Sequence, residues 1–145
     1  MQESLFKTKK SKKVVHVDGG AFIEPPDYKF HNAYFSVVDT KGLVHFEKDI
    51  GDFYSGLAEY KAIKWAIENI KERPLTIYSD CTVAISWAKK GNKNWGAEKL
   101  NLESIVLKWK HNNLADKWNS ENHSPKKSKK EYIKRFYQET NPYLI

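Results

Sequence analysis

Three carboxylates in this chain each stand where a backbone element starts or stops. Asp18 ends the apolar run Val14-Val15-His16-Val17 and precedes Gly19-Gly20. Glu59 lies one turn inside the helix-like stretch Ser55-Gly56-Leu57-Ala58-Glu59-Tyr60, and Asp80 follows the strand-like run Leu75-Thr76-Ile77-Tyr78-Ser79. An acid at the end of a strand projects from the edge of a sheet rather than into its core. Two neighbouring strands that end this way, with a Glu from a helix packed nearby, would gather three anionic groups in one pocket. Such groups repel one another unless a cation lies between them, and hard divalent cations with oxygen ligands suit them. Each acid has an ordinary alternative. Asp18 could start a turn, Asp80 could cap the next helix, and Glu59 could be a solvated residue near the positive end of a helix dipole. All three together, in this order, favour the site.

The hydrophobic period predicts the elements that would hold these acids. Residues 1–12 read as a basic arm that includes Lys7, Lys9, Lys10 and Lys12. Val14 to Asp18 is the first strand, and Ala21 to Phe30, with Pro25-Pro26-Asp27-Tyr28, a turn or loop. His31 to Val38 and Leu43 to Lys48 are further strands, joined by a hairpin at Asp39-Thr40-Lys41-Gly42. The period then changes, and Ala58, Ala62, Trp65, Ala66 and Asn69 form one stripe of a helix from Ser55 to Lys71. Pro74 ends it, since proline disfavours helix in the residue before it. Leu75 to Ser79 is a strand and Cys81 to Lys90 a helix, with Gly91 as its cap. Leu100 to Lys110 has helical spacing through Leu102, Ile105, Val106 and Trp109. Asp116 to Glu121 reads as a poor edge strand, and Lys129 to Gln138 as a last helix.

Composition narrows the class. With 145 residues, 40% hydrophobic and 14% aromatic, residues 13–145 are expected to form a single domain after the arm. The net charge of +7 points to a polyanionic partner, most simply nucleic acid. One cysteine, Cys81, excludes an internal disulfide and any multi-cysteine metal site. No apolar run approaches the roughly 18 residues that span a bilayer, so a cytoplasmic monomer without a membrane partner is expected.

Asp-Gly-Gly after the first strand, Ala58-Glu59 in the first helix and Ser79-Asp80 at the end of the fourth strand resemble the type 1 ribonuclease H family. The helix Leu57-Ala58-Glu59-Tyr60-Lys61-Ala62-Ile63 looks like that family's Glu-bearing helix. The resemblance implies an α/β, ribonuclease H-like fold: a mixed five-stranded sheet, an antiparallel three-strand meander plus parallel strands, flanked by helices. It also implies two magnesium ions, or manganese, held by the acids, and hydrolysis of the RNA strand of an RNA–DNA hybrid. Asp18 would bridge the metals with help from Asp80. Glu59 would hold one metal near the 2′-hydroxyl that distinguishes RNA from DNA. Gly19 and Gly20 would lie against substrate. Lys89, Lys90 and Lys93 with Trp95 would form a ridge like the family's DNA-gripping handle, or else a short solvated loop.

The family's fourth acid has two candidates. In one alignment Asn119-Ser120-Glu121-Asn122-His123 is a loop and Glu131 the fourth ligand, with His123 assisting metal or product release. In the other, Asn112-Asn113-Leu114-Ala115-Asp116 matches the family's Asn-x-x-Ala-Asp, which makes Asp116 the ligand and Ile105 to Trp109 the fifth strand. The first accounts for the whole chain and is preferred. Two other functions remain open: a superfamily nuclease of different substrate, and a nucleic-acid-binding module without catalysis. Proofreading-type exonucleases carry Asp-x-Glu on strand one, which Asp18-Gly19-Gly20 lacks.

Overall fold

A computed structural model of the chain describes residues 12–24 and 29–122. Five strands form one sheet. They are β1 (Lys13–Glu24), β2 (Lys29–Asp39), β3 (Gly42–Lys48), β4 (Leu75–Ser79) and β5 (Ile105–Trp109). Their spatial order is β3-β2-β1-β4-β5. The β1–β2 and β2–β3 pairs are antiparallel, whereas β1–β4 and β4–β5 are parallel. The β2–β3 hairpin closes where Lys41 N–H donates to Asp39 Oδ1 at 2.8 Å, and Gly42 takes a φ of 124° that other residues rarely adopt.

Helices α1 (Ser55–Asn69) and α2 (Thr82–Lys90) cover one face. That face carries Val15 and Val17 of β1, Phe35 and Val37 of β2, and Leu75, Ile77 and Leu107, packed on Tyr60, Ile63, Ala66 and Trp87. Side chains alternate along a strand, so His16 and Asp18 turn the other way. There they meet α3 (Leu114–Asn122), whose Trp118 ring also lies 5.6 Å from Phe46 of β3.

Three expectations change. The segment Ala21 to Phe30 is strand on both sides, with residues 25–28 outside the described residues. A register shift between Gly20 and Phe22 lets β1 keep pairing with β2 past the acid. Residues Leu100 to Lys110 are not a helix, because Ile105 to Trp109 pairs with Leu75 to Ser79 as β5. The spacing of Leu102, Ile105, Val106 and Trp109 imitates a helical stripe. Yet Val106 and Trp109 are exposed while Leu107 is buried, as expected of a half-covered edge strand. Finally, Asp116 to Glu121 is no edge strand but lies in α3, where Ala115 and Asn119, one turn apart, are both fully buried. The expected helix from Lys129 to Gln138 lies outside the described residues, as does nearly all of the basic arm. Among the described residues no helix is long and apolar enough to cross a membrane.

Candidate metal centre

The site lies where two parallel strands part. Pairing of β1 with β4 ends at His16 and Tyr78. Continued two residues further, the same register would set Asp18 opposite Asp80. Instead β4 stops and the chain turns into α2, leaving a crevice beyond the carboxyl end of β4, where α/β sheets bind their ligands. Asp80 does not cap that helix. Cys81 does, its Sγ accepting from Ala84 N–H at 3.4 Å, which leaves the Asp80 carboxylate for the crevice.

Glu59 reaches the crevice because Gly19 has no side chain. A Cβ on Gly19 would lie 2.8 Å from both Ala58 C and Glu59 N, in collision with the α1 backbone. The Asp-Gly step thus sets Asp18 and allows the closest approach of the helix that carries Glu59. Gly19→Ala is expected to destabilise the protein by at least about 2 kcal/mol through overpacking against backbone that cannot move aside. Denaturant unfolding measures this, and an unchanged midpoint would show that the helix tolerates the shift. Gly20 is similarly tight. A Cβ there would meet the Tyr34 ring, with the hydroxyl oxygen 2.6 Å away.

The ligand atoms of Asp18, Glu59 and Asp80 all lie within 4.8 Å of one another. Asp18 and Glu59 are buried, and Asp80 is half-buried. Desolvation, above all, pushes the Glu59 carboxyl up to about 12, and a hydrogen bond shared with Asp80 and the nearby Asp18 charge push the same way. Without a cation, then, the cluster keeps a proton on Glu59. An all-oxygen, anionic set that must hold a proton to coexist is the donor chemistry of a hard divalent ion, and the three residues fit magnesium or manganese.

Helix α3 closes the other side. Asn113 Nδ2 donates to Val17 O at 3.1 Å and to Tyr78 O at 3.4 Å, two carbonyls near the point where β1 and β4 separate. Its Oδ1 accepts from Asp116 N–H at 3.0 Å, which makes Asn113 the N-terminal cap of α3. His16 Nδ1 accepts from Leu114 N–H at 3.3 Å. Burial, and secondarily Lys110, lower the His16 pKa, so the ring stays neutral and able to accept. These contacts lock α3 onto the strand that carries Asp18, and they bring Asn119 to it: Nδ2 donates to Asp18 Oδ2 at 2.7 Å.

The placement of the two fourth-acid candidates follows. Asp116 sits in the first turn of α3 and does not join the cluster of Asp18, Glu59 and Asp80. Glu131 and His123 lie outside the described residues. The alignment that led to Glu131 makes Asn119 to His123 a loop, whereas Asn119 to Asn122 lie in α3; the Ile105–Trp109 strand that the Asp116 alignment requires is present.

At the end of α2 remote from Asp80, Lys89 and Lys90 are exposed, and Lys93 and Trp95 form a short 3₁₀ turn after it. Trp95 stacks on Trp87 at 6.0 Å and contacts Tyr54 at 5.4 Å, so this basic turn is held by an aromatic layer yet leaves Trp95 half exposed. The residues beside Asp80 have no local signature in the sequence. Trp109, 56% exposed, donates its Nε1–H to Asp80 O at 3.0 Å and stacks on His111 at 6.1 Å. Lys110 Nζ lies 5.8 Å from the Tyr78 ring centroid.

An antiparallel meander continued by two parallel strands, with helices on both faces and acids where β1 and β4 part, is the ribonuclease H-like fold. No protein-family model and no curated protein matches the chain. Among solved structures it is similar to the PFV RNase H domain, at 17% identity over 80% of this chain and 87% of that one, with a TM-score of 0.49. It is similar to LC11-RNase H1 in complex with RNA/DNA hybrid, at 16% identity, covering 72% and 91%, TM-score 0.43. The foamy viral protease-reverse transcriptase in complex with dsDNA matches at 17% identity, covering 77% and 89%, TM-score 0.48. In that protein's complex with RNA/DNA hybrid, the chain spans 18% of the matched chain.

Proposed function

We propose that this protein is a metal-dependent endoribonuclease that hydrolyses the RNA strand of RNA–DNA hybrids. The observation that carries the reading is the convergence of Asp18, Glu59 and Asp80 within 4.8 Å at the parting of β1 and β4. Asp18 and Asp80 would hold the divalent ions, and Glu59 would give up its proton as they bind. When bound, magnesium would neutralise phosphate charge, activate water and stabilise the leaving 3′ oxygen. The chain's own residues do the rest. Gly19 brings α1 close, Asn113 and His16 fix α3 against β1, and Cys81 takes over capping so that Asp80 stays free for the site.

The surface supports a nucleic-acid substrate. The net charge is +7 although the site itself is acidic, so the positive charge lies outside it, where lysines can contact phosphate. Trp109, beside Asp80, and Trp95, after the far end of α2, are exposed aromatics suited to stacking on a base or sugar. Trp109→Ala is expected to weaken hybrid binding on the order of tenfold, the usual value of one stacked base. Fluorescence anisotropy with calcium in place of magnesium reads this apart from cleavage, and unchanged affinity would remove Trp109 from the interface.

The substrate class is tested by incubating labelled RNA–DNA hybrid, duplex RNA and duplex DNA with the protein and magnesium. Preferential loss of the hybrid is expected. Cleavage of duplex DNA alone would favour a different nuclease of the fold, and binding without cleavage a non-catalytic module.

A further inference from the structure

Among the described residues, one more side chain turns into the acid cluster, and it is an amide. Asn119 is wholly buried on α3, with Nδ2 donating to Asp18 Oδ2 at 2.7 Å. A carboxylate only accepts, so this contact fixes the amide: nitrogen toward Asp18, oxygen away from it. That oxygen is buried and has no hydrogen-bond partner among the described residues. An unsatisfied buried acceptor is unfavourable and calls for an explanation. It is carried on the same planar group that holds a metal-ligand candidate, so the amide stays buried at a cost that its contact with Asp18 must offset.

We propose that Asn119 is the fourth member of the site, a neutral positioning residue that stands where a fourth carboxylate would otherwise be sought. Its N–H holds Asp18 Oδ2 in place for the cation, and the amide adds no charge to the site. The arrangement exchanges cation affinity for stability of the cation-free protein. A carboxylate at this place would lose the N–H that Asp18 accepts from and add a like charge beside three acids. Neither Asp116, outside the cluster, nor Glu131 is needed for this reading. It rests on the metal site of the proposed function and deepens it.

The test uses the full chain and MgCl2 alone, without nucleic acid, by thermal unfolding in EDTA and by calorimetric titration. Asn119→Asp is expected to unfold at lower temperature in EDTA yet bind magnesium about tenfold tighter, because ligand charge sets affinity. Should this variant be unfolded in EDTA, the same inference requires magnesium to restore its folding. Asn119→Ala is expected to weaken magnesium binding several-fold. Asp116→Asn and Glu131→Gln are expected to leave it unchanged, and a loss of affinity in either would overturn the proposal. So would Asn119→Asp that binds magnesium no more tightly than the wild type. If magnesium does not bind the wild type at all, the metal reading fails and this inference with it. If it binds the wild type but the Asn119 variants do not differ, the inference alone fails.

Discussion

Asp18→Asn and Asp80→Asn are each expected to lower hybrid cleavage on the order of a thousandfold, while hybrid affinity and melting temperature stay near those of the wild type. Removing one charged ligand from a small set costs about 4 kcal/mol of transition-state stabilisation, and each 1.4 kcal/mol is a factor of ten. Affinity should persist because phosphate contacts by surface lysines dominate nucleic-acid binding, and neither aspartate supplies one. Folding should persist for Asp18→Asn because an amide oxygen at that position can still accept from Asn119 Nδ2. Single-turnover cleavage and anisotropy on the same preparations separate the two effects. Intact cleavage by either variant would take that aspartate out of the chemistry.

Glu59→Gln should act in opposite directions with and without metal. The folded pKa of Glu59 is pushed up to about 12 from an ordinary 4.5, so the folded protein binds more protons than the unfolded chain between those values. Stability of the metal-free wild type therefore falls as pH rises above 4.5. At pH 7 the loss amounts to roughly 3 kcal/mol, at 1.36 kcal/mol per pH unit. Gln keeps the shape and the donor toward Asp80 without the titration. In EDTA at pH 7 the variant should melt about 5–10 °C above the wild type, a gap that closes toward pH 4.5. With saturating magnesium the order should reverse, since only the wild type can release the proton and bind the ion fully. Equal melting curves across this pH range in EDTA would mean that Glu59 is not strained by its neighbours.

The acids are legible in the sequence because each marks a boundary that local chemistry reveals: a strand running into Gly-Gly, a helix after a period change, a strand stopping before a helix. The meander and α1 are legible for the same reason. The strand Leu75 to Ser79 and α2 with its Gly91 cap are legible too. The chain beyond them is legible only in the alignment that makes Ile105 to Trp109 the fifth strand. Ile105 to Trp109 carries a spacing that fits a helix, and only pairing with β4, brought close through the fold, makes it a strand. Once that segment is a strand, Asn113 becomes a cap and α3 begins where the sequence predicts an edge strand. Asn119 has no local signal at all. An asparagine in a polar helix reads as solvent-facing, and its contact with Asp18 joins residues at opposite ends of the described chain. The resemblance to ribonuclease H directs attention to an acid in this region, whereas the side chain that reaches Asp18 from α3 is an amide. Gly19 reads from the sequence as a substrate contact, and its close approach to the α1 backbone is invisible without the helix in position.

The most direct test is strand-resolved cleavage of an RNA–DNA hybrid labelled on both strands, with the full chain in magnesium and again in excess EDTA. The RNA strand is predicted to be cut internally and the DNA strand to remain whole, with EDTA abolishing the cutting. An uncut RNA strand in magnesium, or cutting that persists in EDTA, would contradict a metal-dependent ribonuclease centred on Asp18, Glu59 and Asp80.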